Sequence, residues 1–163
     1  MSGPTPFQTI GPFFHRALAC AAPLARLAAG ERISVQGRVR DGAGAPVADA
    51  LLEFWQQDAG FARVATDEHG AFAIDTPLPG PVRDTAGGLQ APHLVVQVFA
   101  RGILSRLLTR VYFEGRPENA RDPVLALVPE ERRDTLIARR SAPGAFRFEI
   151  ALQGVGETVF FDV

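Results

Sequence analysis

A chain of 163 residues, 47% hydrophobic and 21% charged, can bury roughly two-thirds of its unfolded surface around one core and is short for two domains. With 17 basic residues, all arginine, against 18 acidic ones, the charge balance gives no reason to expect a nucleic acid or a membrane surface as partner. The single cysteine, Cys20, excludes an intrachain disulfide, and a thiolate metal cluster or redox pair would have to borrow from another chain.

Residues 1–30 open with three prolines in the first twelve positions, which remove backbone donors and disfavour helix, so an extended arm is expected. Phe7, Ile10, Phe13 and Phe14 make this arm apolar, and it needs a surface to lie on, its own domain or a partner subunit. MSGPTPFQTIGPFFHRA lacks the basic start and unbroken apolar core of a signal peptide, and no apolar run approaches the ~20 residues of a membrane helix. A cytoplasmic location is expected.

Beyond the arm, Ile33–Arg40 alternates apolar and polar residues and runs through DGAGAPV into Ala50–Trp55, a strand, turn, strand pattern. Val64–Ala73 repeats it through DEHG, and TPLPGPV holds an extended shape without ladder bonds. Pro92–Phe113, PHLVVQVFARGILSRLLTRVYF, predicts two paired strands; His93, Val95, Gln97 and Phe99 share one face of the first. Arg101 and Arg110 are expected near one edge of that pair. Pro129 followed by EERRDTLIAR predicts one short helix over 129–140, acidic at its start and basic at its end. Phe146, Phe148, Ile150 and Leu152 alternate, and GVGETVFFDV predicts a last strand. Short strands with Gly/Pro turns and little helix describe an all-β protein, an antiparallel β-sandwich of one domain over 1–163.

Chemistry has few carriers here. A metal site of nitrogen and phenolate oxygen has to draw on His15, His69, His93 and the single tyrosine, Tyr112. His69 sits in a turn and reads as solvated, His15 lies in the arm, and His93 alone cannot complete a metal shell. No serine lies in a GxSxG turn, Cys20 has no base beside it, and DGAGAP and GVGE read as turns and not as phosphate loops. Arginine suits a carboxylate through its two-pronged fork, which marks Arg101 and Arg110, although in a chain whose only basic residue is arginine a structural or surface role is the better reading.

QTIGPFFH in the arm, VQGRVRDGAGAPVADALLEFWQ, LPGPV, APHLVVQVFARG, TRVYF, ERRDTLIARR and GVGETVFFDV together resemble the intradiol dioxygenases over nearly the whole chain. The resemblance implies a transthyretin-like β-sandwich and a heteromer of alpha and beta chains in which the beta chain holds non-haem Fe(III) through two tyrosines and two histidines. It places the four ligand positions at Phe61, Val82, His93 and Val95, and a family arginine at Gln90. Three of those four ligand positions cannot coordinate iron, so this chain is expected to bind no metal and to carry no catalytic residue of its own. Its expected contribution, as an alpha-type chain, is a wall of the beta chain's substrate pocket, built from Thr9, Gly11, Pro12 and Phe13 of the arm together with Arg101, toward a small aromatic substrate and O2. A non-enzymatic binding or scaffold module of the same fold is the alternative.

Overall fold

The computed structural model describes residues 31–57, 60–84 and 87–162. Eleven strands are present: β1 Arg32–Arg40, β2 Leu51–Gln56, β3 Gly60–Ala65, β4 Ala71–Pro77, β5 Val82–Arg83, β6 Leu89–Gln90, β7 His93–Phe99, β8 Leu107–Phe113, β9 Ile137–Ala142, β10 Ala145–Arg147 and β11 Ile150–Ala151. The strands expected between Ile33 and Phe113 are found, and Pro92–Phe113 forms the expected pair, β7 with β8; the Ile33–Trp55 segment does not close on itself, because β1 pairs with β4 and β2 with β3 and β7, and the described chain is predominantly β.

The strands do not divide into two separate sheets. One hydrogen-bonded path runs β11-β1-β10-β9-β8-β7-β2-β3, with β4 paired to β1, and a two-stranded β5-β6 ribbon stands apart. Because β3 runs through a short turn into β4, and the two touch, the ends of the path approach each other and the sheet is nearly barrel-like. The pairing is also not wholly antiparallel: β1 runs parallel to β10 and β11, and β8 parallel to β9. The β8–β9 arrangement follows from the connection, since residues 114–136 cross from the end of β8 back to the start of β9, and a parallel neighbour requires such a crossover.

Among the described residues, helix occurs in that crossover. A 3-10 turn, Pro117–Arg121, is followed by helices Pro123–Leu127 and Glu130–Arg133 and a second 3-10 turn, Asp134–Leu136. The expected helix over 129–140 therefore stops early. Its second half is β9, where Ile137 and Ala138 pack inward and Ala138 pairs with Phe113, so tertiary burial overrides local helix preference. GVGETVFFDV forms no strand among its described residues; it contributes one bridge, Leu108 to Phe161.

Alternation supplies the core. Val35 and Val39 of β1, Leu52 and Phe54 of β2, Leu94, Val96 and Val98 of β7, and Val111 and Phe113 of β8 are all fully buried. A smaller cluster, Tyr112, Leu125, Val128 and Leu136 with Ala91, fixes the crossover against β8. Gly37 permits the closest backbone approach: a Cβ there would lie 1.6 Å from the Phe148 carbonyl oxygen, whose own N–H donates to Gln36 O at 2.8 Å.

Candidate functional site

The outward faces of β3, β2, β7 and β8 carry the site. In register, Phe61 lies opposite Trp55, Trp55 opposite Val95 and Val95 opposite Arg110, so these four side chains form one row across four strands, about 4.8 Å per step. Two residues along the same strands, His93 faces Tyr112, their rings 5.5 Å apart. The β5-β6 ribbon pairs Val82 with Gln90, and Gln90 Oε1 accepts a hydrogen bond from Arg110 Nη1 at 2.9 Å. Val95 thus stands beside Arg110, His93 beside its partner Tyr112, and Val82 opposite Gln90, while Phe61 lies three strands away in the same row with Arg63 over its ring.

Arg110 is held from below. Its Nη1 donates also to Tyr112 Oη at 3.3 Å, and Tyr112 donates its phenol hydrogen to Asp122 Oδ1 at 3.0 Å. Asp122 is 1% exposed. Its carboxylate caps the Pro123–Leu127 helix through the N–H groups of Val124 (2.9 Å) and Leu125 (2.7 Å), and its other oxygen accepts from Ala91 N at 2.7 Å. Four donors on two oxygens stabilise a buried charge that would otherwise be costly. Burial, with the Asp122 charge beside it, pushes the Tyr112 phenol far above its usual range despite the opposing Arg110, so Tyr112 stays a neutral donor.

His93 is neutral for the same reason. Burial lowers its pKa, and the Arg110 charge lowers it further, against the raising effects of the Ala91 carbonyl and Asp122. Its Nδ1 lies 2.8 Å from Ala91 O; a carbonyl only accepts, so Nδ1 carries the hydrogen and Nε2 the lone pair.

One lone pair is far from a metal shell. Phe61, Val82 and Val95 offer none, Tyr112 is committed to Asp122, and Arg110 places a positive charge beside Val95. These residues do not fit a ferric ion. Among the described residues no group of three or more His, Cys, Asp or Glu side chains is arranged to hold a metal.

Arg101 and Arg110, expected near one edge, are apart. Arg101 lies in the turn after β7, 66% exposed at its side chain, and its Nε donates to Asp49 Oδ2 at 2.6 Å, with Nη2 on the same oxygen. Arg110 lies inside β8, facing the ribbon. Thr9, Gly11, Pro12 and Phe13 fall outside the described residues, as do Cys20 and His15. Sequence reasoning did not single out Asp122, although Asp before Pro is a helix-start signal, or Asp49, which no local pattern marks. No helix among the described residues is long and apolar enough to cross a membrane.

Residues 10–154 match the sequence profile of the dioxygenase family. The chain is 41% identical over 198 aligned positions to the protocatechuate 3,4-dioxygenase alpha chain of Burkholderia cepacia, covering 98% of this chain and 97% of that one; since 198 positions exceed 163 residues, the relative carries insertions. It is 33% identical over 154 positions to the beta chain of the same organism, covering 77% of this chain and 66% of that one. Among solved structures, the dioxygenase domain of a dioxygenase–carbohydrate-binding fusion from Streptomyces sp. SirexAA-E matches with a TM-score of 0.63 at 26% identity over 93% of this chain and 99% of that one. Hydroxyquinol 1,2-dioxygenase from Pseudomonas putida DLL-E4 matches with a TM-score of 0.64 at 21% identity, over 80% of this chain and 58% of that one, and shares the fold. The chain belongs to the intradiol dioxygenase family.

Proposed function

We propose that this chain is the alpha-type subunit of a protocatechuate 3,4-dioxygenase, assembled in the cytoplasm with a beta chain that holds non-haem Fe(III) and cleaves protocatechuate with O2 to 3-carboxy-cis,cis-muconate. The observation that carries this reading is the full-length 41% identity to alpha chains combined with Phe61, Val82 and Val95 at three of the four ligand positions. Every step at the metal then belongs to the partner.

The part of this chain is positioning and electrostatics. In this reading residues 1–30 pack on the partner, with Thr9, Gly11, Pro12 and Phe13 forming one wall of its pocket; Gly11 allows close backbone approach and Pro12 fixes the shape. Arg101 adds positive charge toward an anionic substrate. Support comes from its setting: Asp49, mostly buried, grips the Nε side of Arg101 while two-thirds of the arginine side chain remains exposed, so the cation is oriented and still accessible.

Co-expression with a beta chain tests the reading. Co-purification and protocatechuate-dependent O2 uptake are expected; two chains that purify separately, or a complex without turnover, would leave the non-enzymatic module as the better account.

A further inference from the structure

We infer that the Arg110 face of this chain is itself a metal-free binding site for a small planar aromatic carboxylate. Arg110 is half-buried, and among the described residues its partners are neutral: Gln90 Oε1, Tyr112 Oη and, at 6.0 Å, the ring of Phe161. By contrast, Arg40, Arg63, Arg101, Arg139 and Arg147 each reach a carboxylate. The carboxylate reached through Tyr112, that of Asp122, is already saturated by three backbone N–H groups and the phenol. A guanidinium partly withdrawn from water without a counter-charge is costly, and a carboxylate is the partner its fork fits best.

Among the described residues Arg110 donates both of its hydrogen bonds from Nη1, so its Nη2–Nε edge has no acceptor there. Next to Arg110 in the row stand Val95 and then Trp55, and Trp55 is 47% exposed. Two strand spacings separate the Trp55 and Arg110 backbones, roughly 10 Å, which leaves room for one aromatic ring over Val95 with its carboxylate on Arg110. A ring there would cover the exposed indole. The inference rests on this face alone and not on the subunit assignment above.

Trp55 is the only tryptophan of the chain, so its fluorescence reports directly on the site. The full-length chain is titrated with benzoate, and separately with benzamide, its neutral counterpart. Saturable change with benzoate is expected, about tenfold weaker or absent with benzamide and with Arg110→Gln, which keeps hydrogen-bonding capacity without the charge. Val95→Glu, which supplies an internal carboxylate beside Arg110, is expected to block benzoate and keeps the test intact should Arg110→Gln fail to fold. Equal binding of benzamide, or unchanged benzoate affinity in a folded Arg110→Gln or Val95→Glu variant, overturns the inference. So does a Trp55 emission that is already blue-shifted and silent to benzoate, which would mean that another part of the protein covers the face.

Discussion

Tyr112 donates its hydroxyl hydrogen to Asp122 Oδ1 across 3.0 Å, and through this one bond β8 is tied to the crossover that carries the helices. Both residues are buried. Tyr112→Phe removes one donor from a carboxylate that keeps three others, so a loss of about 1 kcal/mol is expected. Asp122→Ala also orphans the N–H groups of Ala91, Val124 and Leu125, and about 2–4 kcal/mol is expected. Chemical denaturation of the two variants measures the ratio; equal losses would show that the carboxylate does not organise the crossover.

His93 makes stability depend on pH. Its folded pKa lies below the ordinary value of 6.5, so above pH ~6.5 both states are neutral and the full stability is present. As pH falls through 6.5 toward the folded pKa, the unfolded chain takes up the proton first and stability is lost, by at most about 1.4 kcal/mol per pH unit from this group. Denaturation midpoints between pH 7.5 and 5 check it. His93→Gln is expected to flatten that slope, and an unchanged slope would assign the dependence to other groups.

Much of this was readable from residue pattern. Alternation in Ile33–Arg40, Ala50–Trp55 and Pro92–Phe113 located β1, β2, β7 and β8 because each has one buried face, and a buried face fixes the period. The 129–140 segment misled because helix signals, Pro129 and the EERR run, are local, whereas Ile137 and Ala138 become a strand by pairing with Tyr112 and Phe113, distant in sequence. Register decided the site. Sequence spacing placed Arg110 near Arg101, but only the pairing of Val95 with Arg110 and the hydrogen bond that Arg110 donates to Gln90 show that Arg110 lies beside Val95 and the ribbon. Arg110 of β8 places a guanidinium within hydrogen-bonding distance of Gln90, the position at which the resemblance implies an arginine.

That charge bears on any attempt to restore a metal site. Phe61→Tyr, Val82→Tyr and Val95→His together return the side chains that the resemblance expects beside His93, yet the Arg110 guanidinium, opposite Val95 and bonded to Gln90, repels a cation. The triple variant is expected to bind no iron, and adding Arg110→Gln is expected to permit it. Iron content and the visible tyrosinate-to-iron absorption read the outcome; a coloured triple variant with Arg110 intact would contradict the electrostatic argument.

Asp49 and Arg101 are expected to act as one unit in the complex with the beta chain. A pair whose arginine is two-thirds exposed contributes little to stability, about 1 kcal/mol or less, so both Asp49→Ala and Arg101→Ala should fold. Each is expected to raise the KM for protocatechuate several-fold, and the double variant no more than Arg101→Ala, because Asp49 acts through Arg101. Additive effects would separate the two, and unchanged kinetics in all three would remove Arg101 from the partner's pocket.

The most direct test of the central claim, that this chain serves the reaction without holding the metal, is iron content and protocatechuate-dependent O2 uptake of this chain produced in the absence of any beta chain and supplied with iron. A colourless protein without stoichiometric iron and without turnover is predicted, gaining activity only when the beta chain is added. One iron per chain with a tyrosinate absorption band, or turnover by the chain alone, would contradict it.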